Sequence, residues 1–101
     1  MGYKLEFDES VKKDFKRIGK PASKAIIAFL VDFIKDFDDE LERQLLINEK
    51  LKALKGQWSG FYRLRFRSFR VIYKKEKQNL VIFVVKVGDR KNVYEWVCKA
   101  L

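Results

Sequence analysis

The residues able to do chemistry in this chain are arginines and one tyrosine in its C-terminal half. Arg63, Arg65 and Arg67 alternate with Tyr62, Leu64 and Phe66, Arg70 follows a short turn, and Tyr94 comes four residues after Arg90. Period-two alternation puts every second side chain of a strand on one face, so the guanidinium groups form a row and the next strand returns Arg70 beside them. Side-by-side like charges repel, and folding tolerates this best where an anion normally offsets them. Phosphate is the anion that suits a guanidinium fork. If the phosphate belongs to RNA, the 2′-OH can attack the adjacent phosphorus once it is deprotonated, aligned in line and given cationic stabilisation of the pentacoordinate state. Neighbouring cations also favour the anionic form of a phenol. The plainer reading, a solvated basic face that at most binds phosphate, stays open at this point.

Other chemistries are excluded by what is missing. The chain has no histidine, which removes histidine triads, the paired-histidine ribonuclease mechanism and the usual zinc sites. Cys98 is the one cysteine, so no internal disulfide forms; it reads as a small buried hydrophobe in a reducing cytosol. Asp38, Asp39 and Glu40 lack the spaced oxygens and turn glycine of a Ca²⁺ loop, and read as the acidic start of a helical turn through Leu41, Leu45 and Leu46. Catalysis would therefore run on Arg, Lys, Tyr or carboxylates, with no metal or cofactor expected.

The elements that must position these groups fit one domain over residues 1–101, with 48% hydrophobic and 15% aromatic content for a single core. A net charge of +9 favours polyanionic partners, with nucleic acid, an anionic membrane and an acidic protein all allowed. No stretch approaches signal-peptide or membrane-spanning character, so a soluble, cytoplasmic protein without a membrane partner is expected.

Tyr3–Asp8 alternates as a first strand. Asp8 or Ser10 can cap a short helix carrying Val11, Phe15 and Ile18 on one face, and Gly19 ends it. Pro21 suits the first turn of a second helix, whose stripe of Ile26, Phe29, Leu30, Phe33 and Phe37 is widened by Ile27, Val31 and Ile34, implying contact on more than one side. Lys55-Gly56 and Ser59-Gly60 mark turns, after which strands are expected nearly to the end. Phe69, Val71 and Tyr73 fall opposite Arg70 and Lys74, and the apolar run Leu80–Val87, broken by Lys86, reads as a central strand covered on both faces. The order predicts an α+β domain, an N-terminal strand and two helices packed on an antiparallel sheet. Arg90 is expected at the end of the last strand, and Asp89 and Glu95 are the nearby carboxylates. Trp58 and Trp96 read as packing residues.

Leu54-Lys55-Gly56, Gly60-Phe61-Tyr62-Arg63-Leu64-Arg65, Phe69-Arg70-Val71-Ile72-Tyr73, Val87-Gly88-Asp89-Arg90 and Val93-Tyr94 resemble, in order and spacing, the serial motifs of the RelE/ParE toxin superfamily. The likeness spans nearly the whole chain, although Phe37–Lys52 is longer than in compact members. It implies the RelE-like microbial ribonuclease fold. It also implies a toxin of a type II toxin-antitoxin system that cleaves mRNA in the ribosomal A site without metal, by 2′-OH attack. The implied partners are the ribosome with its mRNA and a cognate antitoxin through which alone operator DNA is bound. Carried over by position, Arg63 and Arg65 are the paired basic residues, Arg70 the transition-state arginine, Arg90 the leaving-group arginine and Tyr94 the stacking or proton-transferring tyrosine. Lys52, Lys55, Arg67 and Lys74 are further candidate RNA-binding residues. Two positions depart from the pattern: Arg65 replaces a common lysine and is too strongly protonated to serve as a base, and Asp89 replaces a common histidine. Tyr94 is then the better base, with Asp89 a possible base or orienter of Arg90. The alternatives are a ParE-like inhibitor of DNA gyrase and a non-catalytic module binding RNA or antitoxin.

Overall fold

The computed structural model describes residues 2–99. β1 (Lys4–Phe7) is followed by α1 (Val11–Ile18), α2 (Lys20–Asp36), α3 (Asp39–Ile47), β2 (Leu51–Ala53), a 3-10 turn at Gly56–Trp58, β3 (Phe61–Phe66), β4 (Phe69–Glu76), β5 (Val81–Asp89) and α4 (Arg90–Lys99). The five strands form one sheet in the order β1-β5-β4-β3-β2. The expected α+β architecture is present.

Local chemistry explains the early elements. The Asp8 carboxylate accepts hydrogen bonds from the Ser10 amide and hydroxyl, and the Val11 amide donates to the Asp8 carbonyl at 3.0 Å. Asp8 thus folds the entry to α1 instead of capping it as expected. Gly19, at φ 90, takes the backbone conformation that a Cβ disfavours and lets α2 start at once. The Ser23 hydroxyl staples the two helices by donating to the Phe15 and Gly19 carbonyls at 2.9 and 2.7 Å. Asp38 caps α3 by accepting from the Leu41 amide at 2.8 Å, as the acidic cluster implied.

The core lies between the helices and one sheet face. Val11, Ile26, Leu30, Phe33 and Phe37 meet Leu51, Leu64, Val71, Tyr73, Ile82, Val84 and Val87 there. A bulge in β5 sets Ile72 opposite Lys86 and Tyr73 opposite Val84, leaving Val85 over. The extra residue rephases the strand, so Val84 and Val87, three apart in sequence, both reach the same core at 0% exposure.

Four expectations are corrected. The sheet is not wholly antiparallel: β1 runs parallel to β5, with Lys4 opposite Val81 and Phe7 opposite Val84, because helices rather than a tight turn follow β1. The α2 stripe is buried on one side only, since Ile27 and Val31 are exposed. The strands do not run on past Asp89; α4 follows, because the Asp89 carboxylate caps it through the Asn92 amide at 2.8 Å and Val93 and Val97 share one helical face. Cys98 is exposed rather than buried. Among the described residues, no helix is long and apolar enough to cross a membrane.

Candidate active site

α4 packs on the sheet face opposite the core, and this placement creates the site. Val93, at 3% exposure, covers Ile72 of β4, at 1%. The Trp58 indole N–H donates to the Val97 carbonyl at 3.2 Å, and its ring lies 4.8 Å from Trp96 and 5.1 Å from Phe61. Trp58 therefore ties the C-terminal part of α4 to the sheet edge, the packing role expected from its position beside a turn.

On the same sheet face the strand registers assemble the cations. Lys52 of β2 stands opposite Arg63 of β3, Arg65 opposite Arg70 of β4, and Arg70 opposite Gly88 of β5. Arg90 opens α4, and Tyr94, one turn on, lies on the same side of the helix. Together they border an open cleft of about 360 Å³ whose walls include Lys52, Arg63, Arg70, Arg90 and Tyr94 and whose floor is Ile72, Val93 and Val97. Tyr94 is 70% exposed at its rim. The sequence-derived grouping of Arg63, Arg65, Arg70, Arg90 and Tyr94 is thus brought to one face, with Arg65 just outside the main cleft.

Its electrostatics are one-sided. Among the described residues the ion pairs join Glu9–Lys12, Asp14–Arg17, Glu40–Arg43, Glu42–Lys75 and Asp14–Lys86, and none includes a cleft cation. Backbone carbonyls hold two guanidiniums instead: Arg63 Nη2 donates to Glu49 O at 3.1 Å, and Arg70 Nη1 to Phe69 O at 2.9 Å and Arg67 O at 3.1 Å. Arg63 Nε is buried without a hydrogen-bond partner. Burial, then the charges of Arg65 and Arg90, push Arg63 below its ordinary value. Burial, then Arg63, Arg65 and Arg90, do the same to Arg70. Both shifts come from burial first and from crowding of positive charge second; a bound polyanion would reverse the second cause, as the Glu49 carboxylate already does in part at Arg63.

The remaining candidates lie elsewhere. Arg67 occupies the β3–β4 turn at φ 55, with its guanidinium 4.9 Å from the Phe66 ring centre. Lys55 is exposed in the turn after β2. Lys74 shares the basic face but stands opposite Phe61, its ammonium 6.0 Å from that ring. Asp89 forms no ion pair with Arg90; both its oxygens face Asn92, at 2.8 and 3.5 Å. Its evident work is capping α4, which positions Arg90 through the backbone rather than by contact with the guanidinium.

Asp14 was missed by sequence reasoning. It is 3% exposed on α1, accepts from Lys86 Nζ and the Val87 amide at 3.0 Å each, and so pins β5 just before Gly88-Asp89-Arg90. Its partners lie 72 and 73 residues away. The lone Lys86 in an apolar strand was the available signal.

Comparison with known proteins agrees with this geometry. The family model described as "ParE toxin of type II toxin-antitoxin system, parDE" matches residues 5–94. The mRNA interferase toxin RelE of Escherichia coli is 27% identical over 105 aligned residues, covering 100% of this chain and 99% of the relative. The structure of a mutant Escherichia coli RelE in the free state superposes with a TM-score of 0.67 at 25% identity, covering 100% of this chain and 99% of that one. The RelE of an archaeal RelE–RelB complex from Pyrococcus horikoshii shares the fold, with a TM-score of 0.64 at 21% identity over 89% of this chain and 97% of that one. With the family model covering most of its length, the chain belongs to the ParE toxin family of type II toxin-antitoxin systems, within the RelE/ParE superfamily.

Proposed function

We propose that this toxin is an endoribonuclease that cuts mRNA in the ribosomal A site by 2′-OH attack on the adjacent phosphorus, and that a cognate antitoxin silences it. The observation that carries the reading is the cleft in which Arg63, Arg70 and Arg90 converge, with no carboxylate among the described residues in an ion pair with any of them and with Tyr94 at the rim. Arg63 and Arg65 bind and orient the RNA backbone, with Lys52 beside them. Arg70 stabilises charge on the pentacoordinate phosphorus, and Arg90 the departing 5′-oxygen. Tyr94, in its phenolate form, takes the 2′-OH proton as the P–O5′ bond breaks, Asp89 being engaged at the helix cap. The departing 5′-oxygen takes a proton from water to leave as a 5′-OH. No step in this scheme calls on a metal or cofactor.

Relatives support the chemistry and the partner. Two of them bear the name mRNA interferase RelE, and related toxins have been crystallised as RelB complexes. An acidic, amphipathic antitoxin segment would neutralise the cleft in the cytoplasm between bouts of activity, and operator DNA would be reached only through that antitoxin. Lys55, Arg67 and Lys74, outside the cleft, would add electrostatic attraction to ribosomal RNA.

The ParE description of the matched family favours a second reading, inhibition of DNA gyrase. Message integrity on ribosomes with an empty A site and gyrase supercoiling, both assayed with the purified protein, decide between them. Cut message with unimpaired gyrase is expected. Intact message with inhibited gyrase would reverse the assignment.

A further inference from the structure

The segment Phe37–Lys52, set apart in sequence by its length, folds as α3 and the turn that returns the chain to β2. Two contacts fasten it to the sheet. At its middle, Glu42 forms a largely buried ion pair with Lys75 of β4 at 2.9 Å. At its end, the Arg65 amide of β3 donates to the Lys50 carbonyl at 2.8 Å. Between these contacts the chain bends sharply. The Asn48 amide still donates to the Gln44 carbonyl as a helical residue does, but Glu49 takes φ 65, the left-handed conformation that glycine usually supplies just after a helix. The Asn48 side-chain carbonyl braces the bend by accepting from the Lys50 amide at 3.0 Å. The result is to aim the Glu49 carbonyl at Arg63, whose Nη2 donates to it at 3.1 Å. Among the described residues no other hydrogen bond or ion pair holds the Arg63 side chain.

From this geometry we infer that Glu49 is a positioning residue of the cleft, acting through its backbone: the left-handed turn after α3 presents the carbonyl that fixes Arg63 at Nη2 and leaves Nη1 for phosphate. The carboxylate is not the holder, since it forms no ion pair among the described residues. A guanidinium on a long side chain loses freedom when it grips a ligand, and fixing it beforehand removes that cost from binding. A left-handed non-glycine residue is itself unfavourable and persists where the surroundings over-determine it, here the brace at Asn48 and the two fastenings of α3. The inference rests on the nuclease reading for what Arg63 does, and on the turn alone for how Arg63 is held.

The test is a double-mutant cycle. Glu49→Val, whose branched side chain disfavours positive φ, is made in the wild type and in Arg63→Ala, with Glu49→Gly as the rescue that keeps both carbonyl and turn. Three quantities are measured for each: cleavage on programmed ribosomes, affinity for a labelled 2′-O-methyl RNA, which has no 2′-OH to attack, and urea unfolding. Glu49→Val should lower cleavage and affinity about tenfold, the scale of one hydrogen bond to a charged group, and Glu49→Gly should keep both. In the Arg63→Ala background the same Glu49→Val change should cost as much stability as before but no further affinity or cleavage. Asn48→Ala, which removes only the brace, should show this pattern at smaller size and replaces Glu49→Val if that variant fails to fold. No loss, or equal losses in both backgrounds, would overturn the inference and leave a turn that merely supports the fold. So would equal losses from Glu49→Val and Glu49→Gly, which would assign the role to the carboxylate. Coupling in affinity by a protein that cuts nothing refutes only the nuclease reading; cleavage without coupling refutes only the positioning.

Discussion

Arg65 and Arg70 stand directly opposite each other across the β3–β4 ladder, and among the described residues no carboxylate pairs with either. Like charges in a cross-strand pair oppose folding. Removing one should therefore leave the free protein as stable as before, or more so by up to ~1 kcal/mol at low salt. The same Arg70→Ala change should cut RNA cleavage by about 10²–10³. Urea unfolding beside a cleavage assay checks both. A clear loss of stability would show that the bonds from Arg70 to the Arg67 and Phe69 carbonyls hold the hairpin together.

Trp58 acts on the site at a distance, through its hydrogen bond to Val97 and its tilted ring contact with Trp96. Trp58→Phe keeps an aromatic ring and loses the donor, at a cost of about 1 kcal/mol. Cleavage should fall further than stability does, because α4 carries both Arg90 and Tyr94 and lines the cleft floor. Hydrogen exchange localised to Arg90–Lys99 is the measurement. Unchanged exchange in α4 would remove Trp58 from the positioning machinery.

Asp14 should be costly to lose. Asp14→Ala strands the Lys86 ammonium, 13% exposed, and leaves the Val87 amide without its acceptor. A loss of about 3 kcal/mol is expected, a large share of the total for a domain this size. Chemical unfolding measures it. A loss under about 1 kcal/mol would mean that water or Arg17 substitutes for the carboxylate.

A buried pair at the other end of the sheet predicts a pH response. Lys75 Nζ lies 2.9 Å from both Glu42 oxygens, with side-chain exposures of 4% and 13%. Burial alone depresses Lys75, but the Glu42 carboxylate outweighs it and holds the ammonium above its ordinary value of 10.5. A raised amine pKa contributes stability in full below the unfolded value, and this is lost as pH rises through the folded one. The wild type should therefore lose stability from about pH 10.5 upward relative to Glu42→Gln. Parallel curves would show that the pair titrates as it does in the unfolded chain.

The core and the basic face were legible because both obey a simple period. Tyr62, Leu64 and Phe66 turned inward and Arg63 and Arg65 outward, as alternation requires. The ends of that logic failed where a turn or a cap took over. Arg67 continues the alternation in sequence but sits at positive φ in the turn. Arg90 read as the end of a strand with Tyr94 four residues on, and Val93, Trp96 and Val97 are β-formers that hide the helix; Asp89, whose carboxylate caps that helix, read as a possible base or orienter of Arg90. β2 is three residues long, too short for alternation to register. Asp14 gave no local sign, since its partners lie on a distant strand.

The most direct test is to map the new ends of a defined message on ribosomes with an empty A site, using wild type and Arg90→Ala. The arginine cleft predicts cuts within the A-site codon that leave a 2′,3′-cyclic phosphate and a 5′-OH, and their loss in the variant. Uncut message, or cuts that persist unchanged without Arg90, would contradict it.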